Sequence, residues 1–214
     1  MTIKSISSQA LAQMETRYRA ALVNALSGFK SANLIASIDA QGQTNCAIFN
    51  SVFHLGANPA LQGFICRPDS VERHTLDNIQ HTGVYTINHI HQNMYVQAHQ
   101  TAARYPKHIS EFEATGLSPE YIADFKAPFV KESKIKLAMS LVEIVPITHN
   151  GTLLVIGEIQ NILLPEACLL ADGSIDLEAA GTVAISGLDT YYACQRLAKL
   201  SYAKPDSMPI KMVL

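Results

Sequence analysis

The stretch "IKLAMSLVEIVPITHNGTLLVIGEIQNILL", residues 135–164, constrains this chain more than any other. Two long runs rich in Val, Ile and Leu flank His149-Asn150-Gly151. Asn-Gly accepts the positive φ angles of a tight hairpin turn, and β-branched residues favour the extended backbone on either side. The stretch therefore predicts a long antiparallel hairpin. A hairpin of this length needs further strands beside it to bury its apolar face.

Those strands are legible upstream. "ANLIASIDAQGQTNCAIFN" reads as two strands joined by a turn at Asp39–Gly42, "ALQGFICR" as a third and "VYTINHI" as another. Helical patterns lie around them. Leu11, Met14, Tyr18, Leu22 and Leu26 recur at three- and four-residue spacing, which predicts one helix from Ser7 to about Leu26, stopped by Gly28. "HTLDNIQHTG" predicts a short helix capped by Thr75 and ended by Gly83. Residues 92–103 and Leu188–Leu200 complete the helical readings. The order is strand-rich and does not alternate as βαβ units do, so the expected class is an all-β core with peripheral helices, in a single domain over residues 1–214.

Composition excludes several function classes. The net charge is −2, with no basic field to gather DNA or RNA. The N-terminus carries charges throughout and lacks the continuous apolar run of a signal peptide, and no later segment reads as a membrane span. The four cysteines form no CxxC pair and no zinc-finger spacing, which points to reduced thiols in a cytoplasmic protein. Hydrophobic residues make up 48% and charged residues 16%, a balance that favours surface buried between subunits. The nucleotide signatures GxGxxG and GxxxxGK[ST] are absent, as are GxSxG and HExxH. His89-Ile-His91 places two imidazoles on one strand face but has no third ligand at a metal-binding spacing.

Two neighbouring stretches carry chemistry. In "LQGFICRPDSVERHTLDNI" a strand delivers Arg67 at its end, Pro68-Asp69-Ser70 turns the chain, and Arg73 and His74 precede Thr75 at a helix start. Helix N-termini offer unpaired N–H groups, and guanidinium groups bind phosphate bidentately, so this is a phosphate-sized anion cradle. The alternative is a surface network in which Arg67 and Arg73 pair with Glu72, Asp69 or Asp77 while Thr75 only caps. Just upstream, "AIFNSVFHLGANP" is rich in Asn, Ser, Gly and Phe. Such a loop suits a flat heteroaromatic ring, with polar groups at its edge and apolar groups on its faces; the alternative is an irregular loop with two buried phenylalanines.

With those residues in view, the chain resembles the flavin reductase-like family of FMN-binding split-barrel proteins. The resemblance is carried by residues 27–90, by "EFEATGLSPEYIADFKAPFVKES", by "LVIGEIQNILL" and by "LDTYYACQRLAKLSYAKP", and runs from about Tyr18 to Pro205. Where the family's loop carries Pro and Ser around its first Phe, this chain has Ile48 and Asn50, and Asn can make a Ser's hydrogen bonds. The resemblance implies a six-stranded antiparallel FMN-binding split barrel and a homodimer with FMN near the subunit interface. Phe49, Asn50, Ser51, Val52 and Phe53 would then line the isoalloxazine, and Arg67, Arg73, His74 and Thr75 would hold the phosphate.

The expected activity is that of an FMN oxidoreductase taking hydride from NADH or NADPH and reducing an unidentified small-molecule acceptor. Such chemistry requires no general acid or base from the protein. Two alternatives stand beside it: an FMN-binding electron relay or store without turnover of its own, and an empty barrel used for interaction. The long polar and aromatic excursion from Tyr105 to Lys134 reads either as a lid over the pocket or as a loop pinned to the barrel by its aromatic residues.

Overall fold

The computed structural model describes residues 2–68 and 73–212. The predicted N-terminal helix is two helices, α1 (Ser8–Gln13) and α2 (Thr16–Ala25). Met14 is extended, and the Glu15 carboxylate accepts from the Tyr18 N–H at 2.8 Å, so a side-chain cap starts a second helix where the apolar spacing predicted continuity. Neither helix buries a residue, so no packing holds the two in line.

The strands then follow in order: β1 (Lys30–Ser31), β2 (Asn33–Ile38), β3 (Thr44–Phe49), β4 (Phe53–Ala57) and β5 (Ala60–Cys66). Between β2 and β3 the Asp39 carboxylate accepts from the Gln41 and Gln43 N–H groups, and Gly42 sits at φ 89°. After helix α3 (His74–Thr82), closed by Gly83 at φ 72°, come β6 (Val84–His89) and helices α4 (Tyr95–Gln100) and α5 (Glu111–Thr115). Two short strands, β7 (Pro119–Glu120) and β8 (Phe129–Val130), precede the long hairpin β9 (Lys136–Ile147) and β10 (Thr152–Leu163), which turns at Gly151, φ 71°.

The main sheet has seven strands in the order β3-β2-β6-β9-β10-β5-β4, and every pairing is antiparallel. This corrects the six-stranded expectation. The extra strand is β4, drawn from the stretch read as a loop. It pairs Phe53 with Gly63 and Ala57 with Ala60 around a tight Asn58-Pro59 turn. Gly63 leaves room for the side chains of the facing strand: a Cβ there would stand 2.8 Å from Leu55 Cδ1 and 3.2 Å from Phe53 Cε2.

The sheet is buried on both faces around β2, whose residues alternate between two cores. Leu34 and Ala36 pack with Cys46, Ile90, Phe112 and Ile185. Ile35 packs with Phe64, Tyr85, Ile87 and Leu76. The excursion after Tyr105 is ordered by the same cores. Phe112 and Phe129 are almost fully buried, and an ion pair from Glu120 to the buried Lys136 fastens β7 to β9. The pinning reading therefore fits these two aromatic residues, whereas Tyr121 is exposed.

The end of the chain differs from expectation. After α6 (Leu177–Ala180) come β11 (Val183–Ser186) and β12 (Thr190–Ala193), then β13 (Lys199–Leu200) and β14 (Lys211–Met212). Leu188–Leu200 is thus not a helix. β11 captures Thr190–Ala193 by pairing, Ser186 with Thr190 through Val183 with Ala193, and Thr-Tyr-Tyr suits that extended backbone.

Candidate functional site

A cavity of about 700 Å³ opens where the end of β3, the end of β5, the start of α3, the segment 99–105 and the turn after β11 meet. That size lies within the range of about 300–1,000 Å³ common for small-molecule sites. Seven of the nine residues singled out from sequence line it: Phe49, Asn50, Ser51, Arg67, Arg73, His74 and Thr75. Val52 and Phe53 do not. Val52 packs against the second core, and its carbonyl accepts from the Ser31 hydroxyl at 2.9 Å. Phe53 lies on β4, partly exposed, across from Gly63.

The loop after β3 is held from two sides. Asn50 Nδ2 donates to the Gly187 carbonyl at 2.8 Å, joining the loop to the turn between β11 and β12. Ser51 Oγ donates to the Ile65 carbonyl at 3.0 Å and accepts from the Ile65 N–H at 3.2 Å, joining it to β5. The Phe49 ring meets Phe64 edge-on, with centroids 5.0 Å apart. A half-buried aromatic face and an anchored amide therefore stand together on one wall.

The cationic wall is built by β5 and α3. Arg67 follows the last residue of β5 and, among the described residues, makes no hydrogen bond or ion pair. Arg73 is the N-cap of α3 and donates from Nε to the Pro68 carbonyl at 3.4 Å. Thr75 does not cap the helix: it is the second residue of α3, and its buried hydroxyl accepts from Asn45 Nδ2 at 2.8 Å. The Arg73 side chain makes no capping hydrogen bond to the first turn of α3. Asp69 and Glu72, the alternative partners for the arginines, lie outside the described residues.

Sequence reading reached the remaining walls only through the excursion from Tyr105 to Lys134, read as a lid or as a pinned loop; Tyr105 and Glu111 on it line the cavity, Glu111 from α5. His99 comes from α4, Arg104 from the segment after it, and Leu188 and Asp189 from the turn after β11. Arg104 is exposed and, like Arg67, makes no hydrogen bond or ion pair among the described residues. Three of the chain's six arginines thus face one cavity. His99 Nδ1 lies 3.0 Å from the Tyr191 hydroxyl, and burial and Asp189 push Tyr191 up to about 12, so it stays protonated. Burial also raises Glu111, while its bond from the Cys46 N–H, 3.0 Å, pulls the other way.

Comparison with known proteins bears on the whole arrangement. A family model described as a flavin reductase like domain matches residues 26–175. A split barrel domain protein of Shewanella frigidimarina NCIMB 400, described as a candidate flavin reductase, is 56% identical; the match covers 94% of this chain and 100% of that one, with a TM-score of 0.91. Nitrilotriacetate monooxygenase component B from Bacillus cereus is 20% identical over 94% of this chain and 100% of that one, TM-score 0.81, which speaks to the fold alone. An uncharacterized protein of Aquifex aeolicus (strain VF5) is 30% identical over 81 residues, 38% of this chain and 41% of that protein, so the match spans less than half of the curated relative's length.

Proposed function

This chain belongs to the flavin reductase-like domain family, and from that premise we propose that its cavity holds FMN and that the protein is an oxidoreductase drawing on NADH or NADPH. The observation that carries the reading is the meeting, in one cavity, of an aromatic and amide wall with arginines around the start of α3. The fit of the group rests on charge and shape. A phosphate monoester is a dianion, and Arg67, Arg73 and the first turn of α3 supply guanidinium forks and N–H donors for it. His74 and Thr75 stand at the same end.

Phe49, Asn50 and Ser51 would hold the ring. Phe49 gives an apolar face, and Asn50 keeps Oδ1 available because only its Nδ2 is used in the bond to Gly187. Ile185 and Leu188 add apolar wall at that end. Bound flavin supplies the redox chemistry, accepting hydride from a nicotinamide nucleotide and passing electrons to a small-molecule acceptor. Arg104, on the segment after α4, leaves positive charge for an anionic second ligand once the phosphate is neutralised. Among the described residues no helix is long and apolar enough to cross a membrane. The free cysteines support a reducing, cytoplasmic setting, and the exposed apolar side chains support a homodimer.

Stopped-flow mixing of the FMN-loaded protein with NADH and with NADPH tests the reading. Loss of flavin absorbance at a rate useful for turnover with either nucleotide is the expected result. Bound FMN that neither nucleotide bleaches would replace the reductase with an electron relay or store.

A further inference from the structure

We infer that residues 194–212 form an arm that clasps a second copy of this chain. The inference rests on the homodimer proposed above and names the element that holds it. The arm lies beyond the residues matched by the family model. Its root is fixed to its own subunit by ion pairs from Arg196 to Asp176 and from Lys199 to Asp172, and by the Arg196 N–H donating to Glu178 at 3.2 Å. Beyond the root, β13 and β14 pair over only two residues each, closed by the Ser201 N–H to the Ile210 carbonyl at 3.0 Å. A two-stranded hairpin of that size is not stable in water on its own.

The arm also presents apolar side chains to solvent. Leu197 is 97% exposed, Tyr202 89%, Met208 87% and Ile210 69%. None belongs to a core cluster of its own subunit.

Surface area and charge both point to a second copy as the occupant. The chain exposes 13287 Å² for a mass of 23.3 kDa. A compact monomer of that mass exposes roughly 9,700 Å², so the excess is about 3,600 Å². A standard interface takes about 800 Å² from each partner, and obligate dimers take more. The excess is therefore ample for a stable dimer. From residue 194 onward the chain carries Arg196, Lys199, Lys204 and Lys211 against Asp206 alone, net +3; the whole chain is −2, so residues 1–193 carry −5. Lys204 and Lys211 form no ion pair among the described residues. A basic, apolar arm thus complements the acidic body of an identical subunit, and a two-fold axis uses each contact twice.

The test compares the full-length protein with the double variant Leu197→Asp and Tyr202→Asp by sedimentation equilibrium over a dilution series. Both side chains stand in solvent, so their own subunit folds unchanged, which circular dichroism checks. The expected result is a dimeric parent and a dissociation constant raised at least about a hundredfold in the variant, because two buried anchors are lost on each side of the axis. A dimeric parent with an unchanged constant in the variant would overturn the arm and leave the dimer standing. A monomeric parent would overturn both. Hydrogen exchange across residues 199–212 adds a second reading: protection should fall on dilution to monomer, and protection independent of concentration would place the arm on its own subunit and refute the inference.

Discussion

Tyr85 and Arg104 both lack a hydrogen-bond partner among the described residues, and they teach opposite things about where they sit. Tyr85 is fully buried in the sheet core, its hydroxyl packed against Gly157. Burial raises it far above its ordinary value, so it stays neutral. Arg104 keeps its charge and stands on the rim of the cavity with Arg67 and Arg73. A neutral polar group without a partner costs the interior about 1–3 kcal/mol, which close packing can offset. A cluster of permanent charges is held together only at low cost in water or at the surface of a site that receives an anion. The scaffold therefore accommodates its unpaired groups by keeping them neutral, and the cavity does so by facing them toward a ligand.

The largest effect expected on the scaffold side comes from Gly157→Ala. The new Cβ would stand 2.1 Å from the Tyr85 hydroxyl oxygen and 3.1 Å from the Ser140 carbonyl, and neither the buried ring nor the sheet backbone can yield freely. Urea unfolding should show a loss of about 3 kcal/mol, with part recovered when Tyr85→Phe is added. Tyr85→Phe alone should leave stability unchanged or raise it by about 1 kcal/mol, since it removes a hydroxyl that no described residue satisfies.

His89 sharpens the same contrast through pH. Its Nδ1 is buried without a hydrogen bond among the described residues, and burial pushes the imidazole down to about 4. The folded state binds the proton less readily than the unfolded chain does, so the neutral ring's contribution is complete above pH 6.5 and is lost as pH falls toward 4. Unfolding measured across that window should lose up to about 1.4 kcal/mol per pH unit, and His89→Asn should flatten the slope. A smaller change is expected of Thr75→Ala, which leaves the buried Asn45 amide without its 2.8 Å partner; a stability loss of about 1 kcal/mol in the same urea assay is the expected outcome.

How much of this was legible depended on whether the deciding contact was local. The β9–β10 hairpin could be read because Asn150-Gly151 and the apolar runs beside it are contiguous. β4 could not, because its short Gly- and Asn-rich stretch is held extended by pairing with β5 and not by a strand pattern of its own. The segment after Leu188 carries apolar spacing compatible with a helix, and pairing with β11 overrode it. The same division runs through the cavity. Arg67, Arg73 and the Phe49–Ser51 loop adjoin a strand end or a helix start and could be found from order alone. Arg104 and Glu111 reach the cavity through the packing of α4 and α5 on β3, which no local pattern announces.

The reading of the cavity turns on its phosphate end, and titration of Arg73→Ala with FMN and with riboflavin tests that end most directly. The two ligands share the ring and differ by the phosphate, so their ratio isolates the charged contact. Flavin fluorescence should show FMN affinity falling about tenfold to a hundredfold while riboflavin affinity changes little, as the loss of one charge-assisted hydrogen bond requires. An equal loss for both ligands, or no binding of FMN by the unsubstituted protein at micromolar concentration, would contradict the account.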